Sequence, residues 1–223
     1  MVERFTDRLY RRAAPIWAAL HRHPFVRGIG DGTLNVERFK HWVKQDYLYL
    51  IDYARLFALA LAKAPDLESM TKFAQLTQAV LEVEMDLHRS YAREWGISVE
   101  ELEQTEKAPT CQAYTDFLLR CAALGSFAEL VAALLPCMWG FCDIGLALAQ
   151  AGLPAEPRYA KWVRMYSAPE FVELTEWTRD LMDRVAHGLP DVELQRLEGT
   201  FLTSSRYEHA FWEMAYRLEQ WPV

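Results

Sequence analysis

The stretch Ala132-Ala133-Leu134-Leu135-Pro136-Cys137-Met138-Trp139-Gly140-Phe141 constrains this chain more than any other. Nothing in it is charged, and it lies in a longer apolar run of helical length, so it belongs in an interior. A chain that buries such a helix needs other helices to cover it. Strand signals are nearly absent: period-two alternation is nowhere sustained, and Val/Ile/Thr clusters are few. Pro136 removes a backbone donor and crowds the carbonyl of Ala132, so the helix is expected to bend there. That bend holds Cys137. A buried cysteine is ordinarily a small hydrophobe, and the stretch alone reads as packing before it reads as chemistry.

Start and stop signals divide the remainder into helices. The first runs from about residue 2 to 22 and stops before Pro24. Arg27-Gly28-Ile29-Gly30-Asp31-Gly32-Thr33 follows a helix rather than a strand, so it reads as a turn and not as a phosphate loop. Asn35 caps a helix reaching about Lys63, on which Trp42, Asp46, Tyr49, Leu50 and Tyr53 share a face. A carboxylate among aromatics needs a partner, and a tyrosine hydroxyl would serve. A third helix spans about Asp66 to Gly96. It carries Glu84 and His88, read as a salt-bridged pair at i, i+4. A di-iron site would require paired Glu-x-x-His motifs, and the sequence has none, so no metal is expected.

Capping boxes at Ser98–Glu101, Ser126–Glu129 and Ser167–Glu170 open further helices. Between the first two lies a helix from about Thr110 to Leu124 with Tyr114. The long apolar helix then runs to Gly152, and a short one follows with Trp162 and Tyr166. The last opens near Asp191 and reaches about Gln220, with Glu208, Phe211, Trp212 and Ala215 on one face. The expectation is an all-α, single-domain, multi-helix bundle over residues 1–223.

At 223 residues and 52% hydrophobic, the chain has material for a sizeable core. Its formal charge of -7, without any Lys/Arg run, argues against a nucleic-acid partner. The four cysteines form no C-x-x-C pair, so a zinc knuckle is not expected. The start lacks the apolar core of a signal peptide, and no uncharged apolar stretch reaches about 18 residues, so no membrane span is expected. A cytoplasmic protein with reduced thiols follows as the expectation.

Cys137, Asp46, Glu208 and several tyrosines, if gathered in one cavity, would offer a nucleophile, an acid/base and flat stacking surfaces. Such a site suits a planar, neutral or cationic heteroaromatic better than a phosphate. These features alone leave an enzyme and a ligand-binding or regulatory module both open.

A resemblance narrows this. His23-Pro24-Phe25-Val26-Arg27-Gly28-Ile29-Gly30-Asp31-Gly32-Thr33-Leu34, then Arg38-Phe39-Lys40 and Gln45-Asp46, resemble the TenA family, also called thiaminase II. So do Ala132 to Cys137 with Trp139, and the ending Ser204-Ser205, Tyr207-Glu208, Phe211-Trp212 and Met214 to Arg217. The likeness spans almost the whole chain. It implies a haem-oxygenase-like fold, a homotetramer, and hydrolysis of 4-amino-5-aminomethyl-2-methylpyrimidine to the 5-hydroxymethyl compound and ammonia. It also implies cleavage of thiamin to the same alcohol and a thiazole, in thiamin salvage. No cofactor is expected, and the cysteine-bearing class argues against haem at His21 or His23. Carried over by residue, Cys137 matches the nucleophile and Glu208 the proton shuttle. Asp46 matches the residue that binds the pyrimidine's ring nitrogen and 4-amino group. Tyr114 and Tyr166 line the pocket, while Tyr49 and Phe141 sandwich the ring. Phe141 stands where many members have tyrosine, so stacking is kept and a hydroxyl is lost. Phe141, one turn beyond Cys137, is expected on the same side of the helix.

Overall fold

The computed structural model describes residues 4–223, with the backbone alone at Val83. Among these residues the regular structure is helical throughout, without a strand: eleven α-helices and one five-residue π-helical turn. They fall into two compact units.

The first unit comprises the chain up to Asn35 together with Ala128–Glu213. It holds α1 (Phe5–Arg22), α2 (Pro24–Asp31), α8 (Phe127–Ala151), α9 (Pro157–Tyr166), α10 (Pro169–Ala186) and most of α11 (Asp191–Arg217). α8 is its centre. Leu130 through Leu135 are fully buried, and the helix runs through Pro136 without interruption. It is long and apolar enough to cross a membrane, but most of its apolar window is buried within the protein. Two aromatic clusters grow from it. Trp139 meets Trp17, Tyr10 and Phe201, and Phe141 meets Trp162, Tyr166 and Trp212. Tyr10 stacks on Trp139, and the other contacts are edge-on or tilted, an arrangement ring quadrupoles favour over a face-to-face sandwich.

α2 corrects the expected turn. Pro24 pre-sets the first helical position, and His23 Nδ1 accepts the Phe25 N–H as a cap. The glycines that resemble a loop are there for close packing. A Cβ on Gly30 would lie 2.6 Å from Leu148 Cδ2, and one on Gly28 would lie 3.0 Å from Leu34 Cα. Gly32 alone acts as a turn glycine, ending α2 with φ 77°. His23 Nε2 reaches Glu213 at 2.9 Å, and His21 reaches Asp143 at 2.6 Å. Both histidines of the first helix's end are therefore engaged within the protein.

The second unit comprises Val36–Phe127 with Met214–Val223. Its centre is α3 (Val36–Lys63), buried on several sides as a central helix should be. Against it pack α4 (Leu67–Ala79), the π turn (Val80–Glu84), α5 (Met85–Glu94) and α7 (Pro109–Leu124). The short α6 (Val99–Gln104) follows α5, capped by Ser98 Oγ accepting the Glu101 N–H at 3.0 Å. Gln45 on α3 ties down the start of α7 by accepting the Ala108 N–H and donating to the Glu106 carbonyl.

Three further boundaries differ from expectation. The single helix expected from Asp66 to Gly96 is interrupted by the π turn, where the Met85 N–H reaches back to the Val80 carbonyl. α10 is capped at Ala168 without a side-chain bond, because the Ser167 hydroxyl turns back to the Val163 carbonyl. α11 ends at Arg217, earlier than Gln220, on Leu218 at φ 55°.

Candidate active site

Each unit gathers one group of the expected residues. In the first unit these are Cys137, Phe141, Tyr166 and Glu208. Cys137 and Phe141 are four residues apart in an unbroken helix, so they lie on the same side of α8. Phe141 and Tyr166 have ring centroids 4.8 Å apart, and Phe141 and Trp212 are 5.1 Å apart. Gly145 sets Tyr166. A Cβ there would lie 2.7 Å from the Tyr166 backbone carbonyl, so glycine lets α9 approach α8 this closely.

Glu208 is brought to the same place by helix register. The Ser204 hydroxyl donates to the Ala133 carbonyl at 2.6 Å, an offset of 71 residues. One helical turn past Cys137, Phe141 meets Trp212 with the same offset. α8 and α11 therefore run parallel here. The register puts Glu208, itself offset by 71 from Cys137, level with the thiol. Glu208 is 4% exposed and Cys137 is half-buried. None of the four cysteines is in a disulfide.

In the second unit Asp46, Tyr49 and Tyr114 come together. Tyr49 lies one turn beyond Asp46 on α3, and its ring is 5.3 Å from that of Tyr114 on α7. Tyr53 extends the face as a stacked ring, also 5.3 Å from Tyr49. Asp46 is 5% exposed. A lone carboxylate there would cost several kcal/mol, and its partner is His88 of α5, not a tyrosine. His88 Nε2 stands 2.6 Å from Asp46 Oδ2, and Nδ1 stands 2.9 Å from the Glu84 backbone carbonyl. The expected Glu84–His88 ion pair is thus replaced by a bond to the Glu84 main chain. Asp46 Oδ1 has no hydrogen-bond partner among the described residues.

Burial dominates the titration of this cluster. It pushes the Glu84 carboxyl up to about 7, with the charge of Asp46 adding and His88 opposing. Burial pulls His88 down, but the hydrogen bond and charge of Asp46 outweigh it and leave the imidazole raised. Burial likewise pushes the Cys111 thiol of α7 up to about 12, as suits an inert core cysteine. Among the described residues no set of three or more His, Cys, Asp or Glu side chains is arranged to hold a metal ion.

The glutamate and histidine at i, i+4 on the third expected helix were the available signal for His88. Glu84 and His88 keep their i, i+4 relation in the structure, so spacing named a neighbour in the same helical run and could not show a carboxylate on α3.

The sequence profile of the TENA/THI-4/PQQC family matches residues 10–218. An aminopyrimidine aminohydrolase of Halalkalibacterium halodurans is 50% identical over 220 residues, covering 97% of each chain. A solved TenA homologue from P. horikoshii superposes with a TM-score of 0.90 at 32% identity, covering 96% of this chain and 99% of that one. A Shewanella denitrificans domain described as having a haem oxygenase-like fold superposes with a TM-score of 0.74 at 14% identity, which establishes the fold alone. With a profile match over nearly all its length and relatives this similar end to end, the chain belongs to the TENA/THI-4/PQQC family.

Proposed function

We propose that this chain is an aminopyrimidine aminohydrolase that converts 4-amino-5-aminomethyl-2-methylpyrimidine to its 5-hydroxymethyl counterpart and ammonia, and splits thiamin to the same alcohol and a thiazole. The observation that carries the reading is the level placement of a half-buried thiol and a buried carboxyl on two parallel helices, beside a wall of aromatic rings. Full-length kinship with an aminopyrimidine aminohydrolase supports it.

The chemistry follows from the parts. A pyrimidine ring resists a nucleophile until a ring nitrogen is protonated. Glu208 supplies that proton and takes it back, while the Cys137 sulfur forms a bond to the ring as thiolate. The ring's electrons then expel the amine from the exocyclic carbon, and the amine leaves protonated as ammonia. Water adds to that carbon, the carbon–sulfur bond breaks, and the aromatic ring is restored. Asp46 accepts from the 4-amino group with Tyr49 and Tyr114 beside it, and Phe141 and Tyr166 give the ring aromatic surfaces to stack on. Their contribution is orientation, which converts a bimolecular encounter into a positioned one.

The whole chain is read as one domain in function, working in the cytoplasm as a homotetramer in thiamin salvage. Light scattering on the purified protein should give four times the mass of one chain.

Ammonia release from the aminomethylpyrimidine, with thiamin assayed alongside, tests the reading. Cys137→Ala should abolish measurable turnover. Glu208→Gln should lower kcat by about 100-fold or more, the usual worth of a positioned proton donor. Full activity in both variants overturns the mechanism. A parent protein that binds the compound tightly and releases no ammonia is a binding or regulatory protein instead.

A further inference from the structure

His88 is fully buried, belongs to none of the groups given a role above, and makes its shortest bond to one that is. Both its ring nitrogens are committed. Nδ1 faces a backbone carbonyl, which only accepts, so Nδ1 carries a hydrogen. The tautomer is thereby fixed, and a single proton lies between Nε2 and Asp46 Oδ2. Rotation of the ring would break both bonds at once. The carbonyl that fixes it is that of Glu84, the last residue of the π turn. One extra residue in a turn advances everything after it by about 100° around the helix axis. The π turn therefore sets which face of α5 meets α3, and that face carries His88.

We propose that His88 is a positioning residue for the substrate: anchored by the π turn, it holds Asp46 as an anion with Oδ1 open to accept from the aminopyrimidine's amino group. The proposal rests on the reading of Asp46 as the pyrimidine's partner. An aminopyrimidine presents a donor amino group beside an acceptor ring nitrogen. A carboxylate with one oxygen tied back to an imidazolium is an acceptor only, so it selects the amino group and rejects a ring bearing a carbonyl there. Burial lowers the imidazole, but the hydrogen bond and charge of Asp46 raise it further, which shifts the ring toward its protonated form relative to a free histidine. The other titratable groups reaching the cluster are Glu84 from the π turn and Cys111 from α7. Tyr91 lies on α5 with its ring 6.5 Å from that of His88, and the Lys107–Asp52 pair acts on Cys111.

The test compares the parent with His88→Leu, His88→Gln and Asp46→Asn, with folding checked by circular dichroism. His88→Leu should raise KM for the aminomethylpyrimidine about tenfold or more, the scale of one hydrogen bond to a charged group, with a smaller change in kcat. Its kcat/KM should also lose the pH dependence that the His88 imidazolium imposes on the parent. His88→Gln, which keeps a donor but no charge, should recover part of the KM and none of the pH profile; it carries the comparison if the leucine variant does not fold. Parental KM and pH profile in a folded His88 variant overturn the proposal. If Asp46→Asn raises KM while the His88 variants do not, this inference alone fails. If Asp46→Asn keeps the parental KM, or the parent releases no ammonia, the reading of the site fails and the inference falls with it.

Discussion

At the scale of single residues, the tightest constraint on the aromatic wall is a missing side chain. Gly145 faces the main chain of Tyr166, and no rotamer change there relieves a contact of 2.7 Å to backbone atoms. Gly145→Ala must therefore push α9 from α8. Overpacking of this kind costs about 1–3 kcal/mol, and it displaces the Tyr166 ring from Phe141. Urea denaturation should register the stability loss, and KM for the aminomethylpyrimidine should rise with it. An alanine variant with parental stability would mean that the helices yield there freely. Ser204→Ala probes the other contact that sets the Cys137–Glu208 register. It removes the hydroxyl bond to the Ala133 carbonyl, for a loss of about 1 kcal/mol. Its kcat should fall more than its KM rises, since the change acts on the alignment of thiol and carboxyl. The sequence named candidate residues and not their pairings. That Asp46 required a partner was legible from burial physics alone. That the partner is His88 was not, because it lies 42 residues away across an insertion that shifts the helical phase.

At the scale of elements, the π turn is where the fold departs most from regular helix, and it places an ionisable group where water is excluded. Glu84 titrates at about 7 in the folded protein against an ordinary 4.5. Its folded value is raised, so the unfolded chain gives up this proton first. The fold is penalised increasingly as pH rises from about 4.5 to about 7, and the penalty then levels off. At about 1.4 kcal/mol per unit, it amounts to roughly 3 kcal/mol. His88, also raised, acts in the same sense: its stabilisation is complete below 6.5 and is lost as pH climbs through its folded value. The two groups are coupled, so their protons leave as a set and the effects do not simply add. Glu84→Gln isolates the carboxyl. Between pH 5 and pH 8 the variant should lose less stability than the parent, measured by urea denaturation at both values. An equal loss in both proteins would assign the titration elsewhere. Most elements were legible because helix signals are local. Asn35 before α3, Ser98 before α6 and the apolar length of α8 each carry their own reason. α2 was hidden because glycine serves close packing and turns alike, and only the contacts of Gly28 and Gly30 separate the two uses.

At the scale of the whole molecule, neither compact unit is a continuous piece of chain. The chain passes from one to the other after Asn35, after Phe127 and after Glu213. The last passage falls inside α11, which runs from Asp191 to Arg217 without interruption. Trp212 and Met214, on either side of it, are both buried. A helix is cooperative along its length, since ending it in mid-course strands backbone donors and acceptors that its own turns had satisfied. Melting one unit while the other stays folded would require such an end within a buried stretch. The two units should therefore unfold together. Differential scanning calorimetry should give one transition whose calorimetric and van't Hoff enthalpies agree for the cooperative species. Two resolved transitions would mean that α11 breaks at Glu213–Met214 for little cost. A proline at Met214 supplies the complementary test. It removes one helical hydrogen bond at the passage, for about 3 kcal/mol or more, and should lower the single transition as a whole. A Met214→Pro protein that melts at the parental temperature would mean that α11 carries no coupling at this passage.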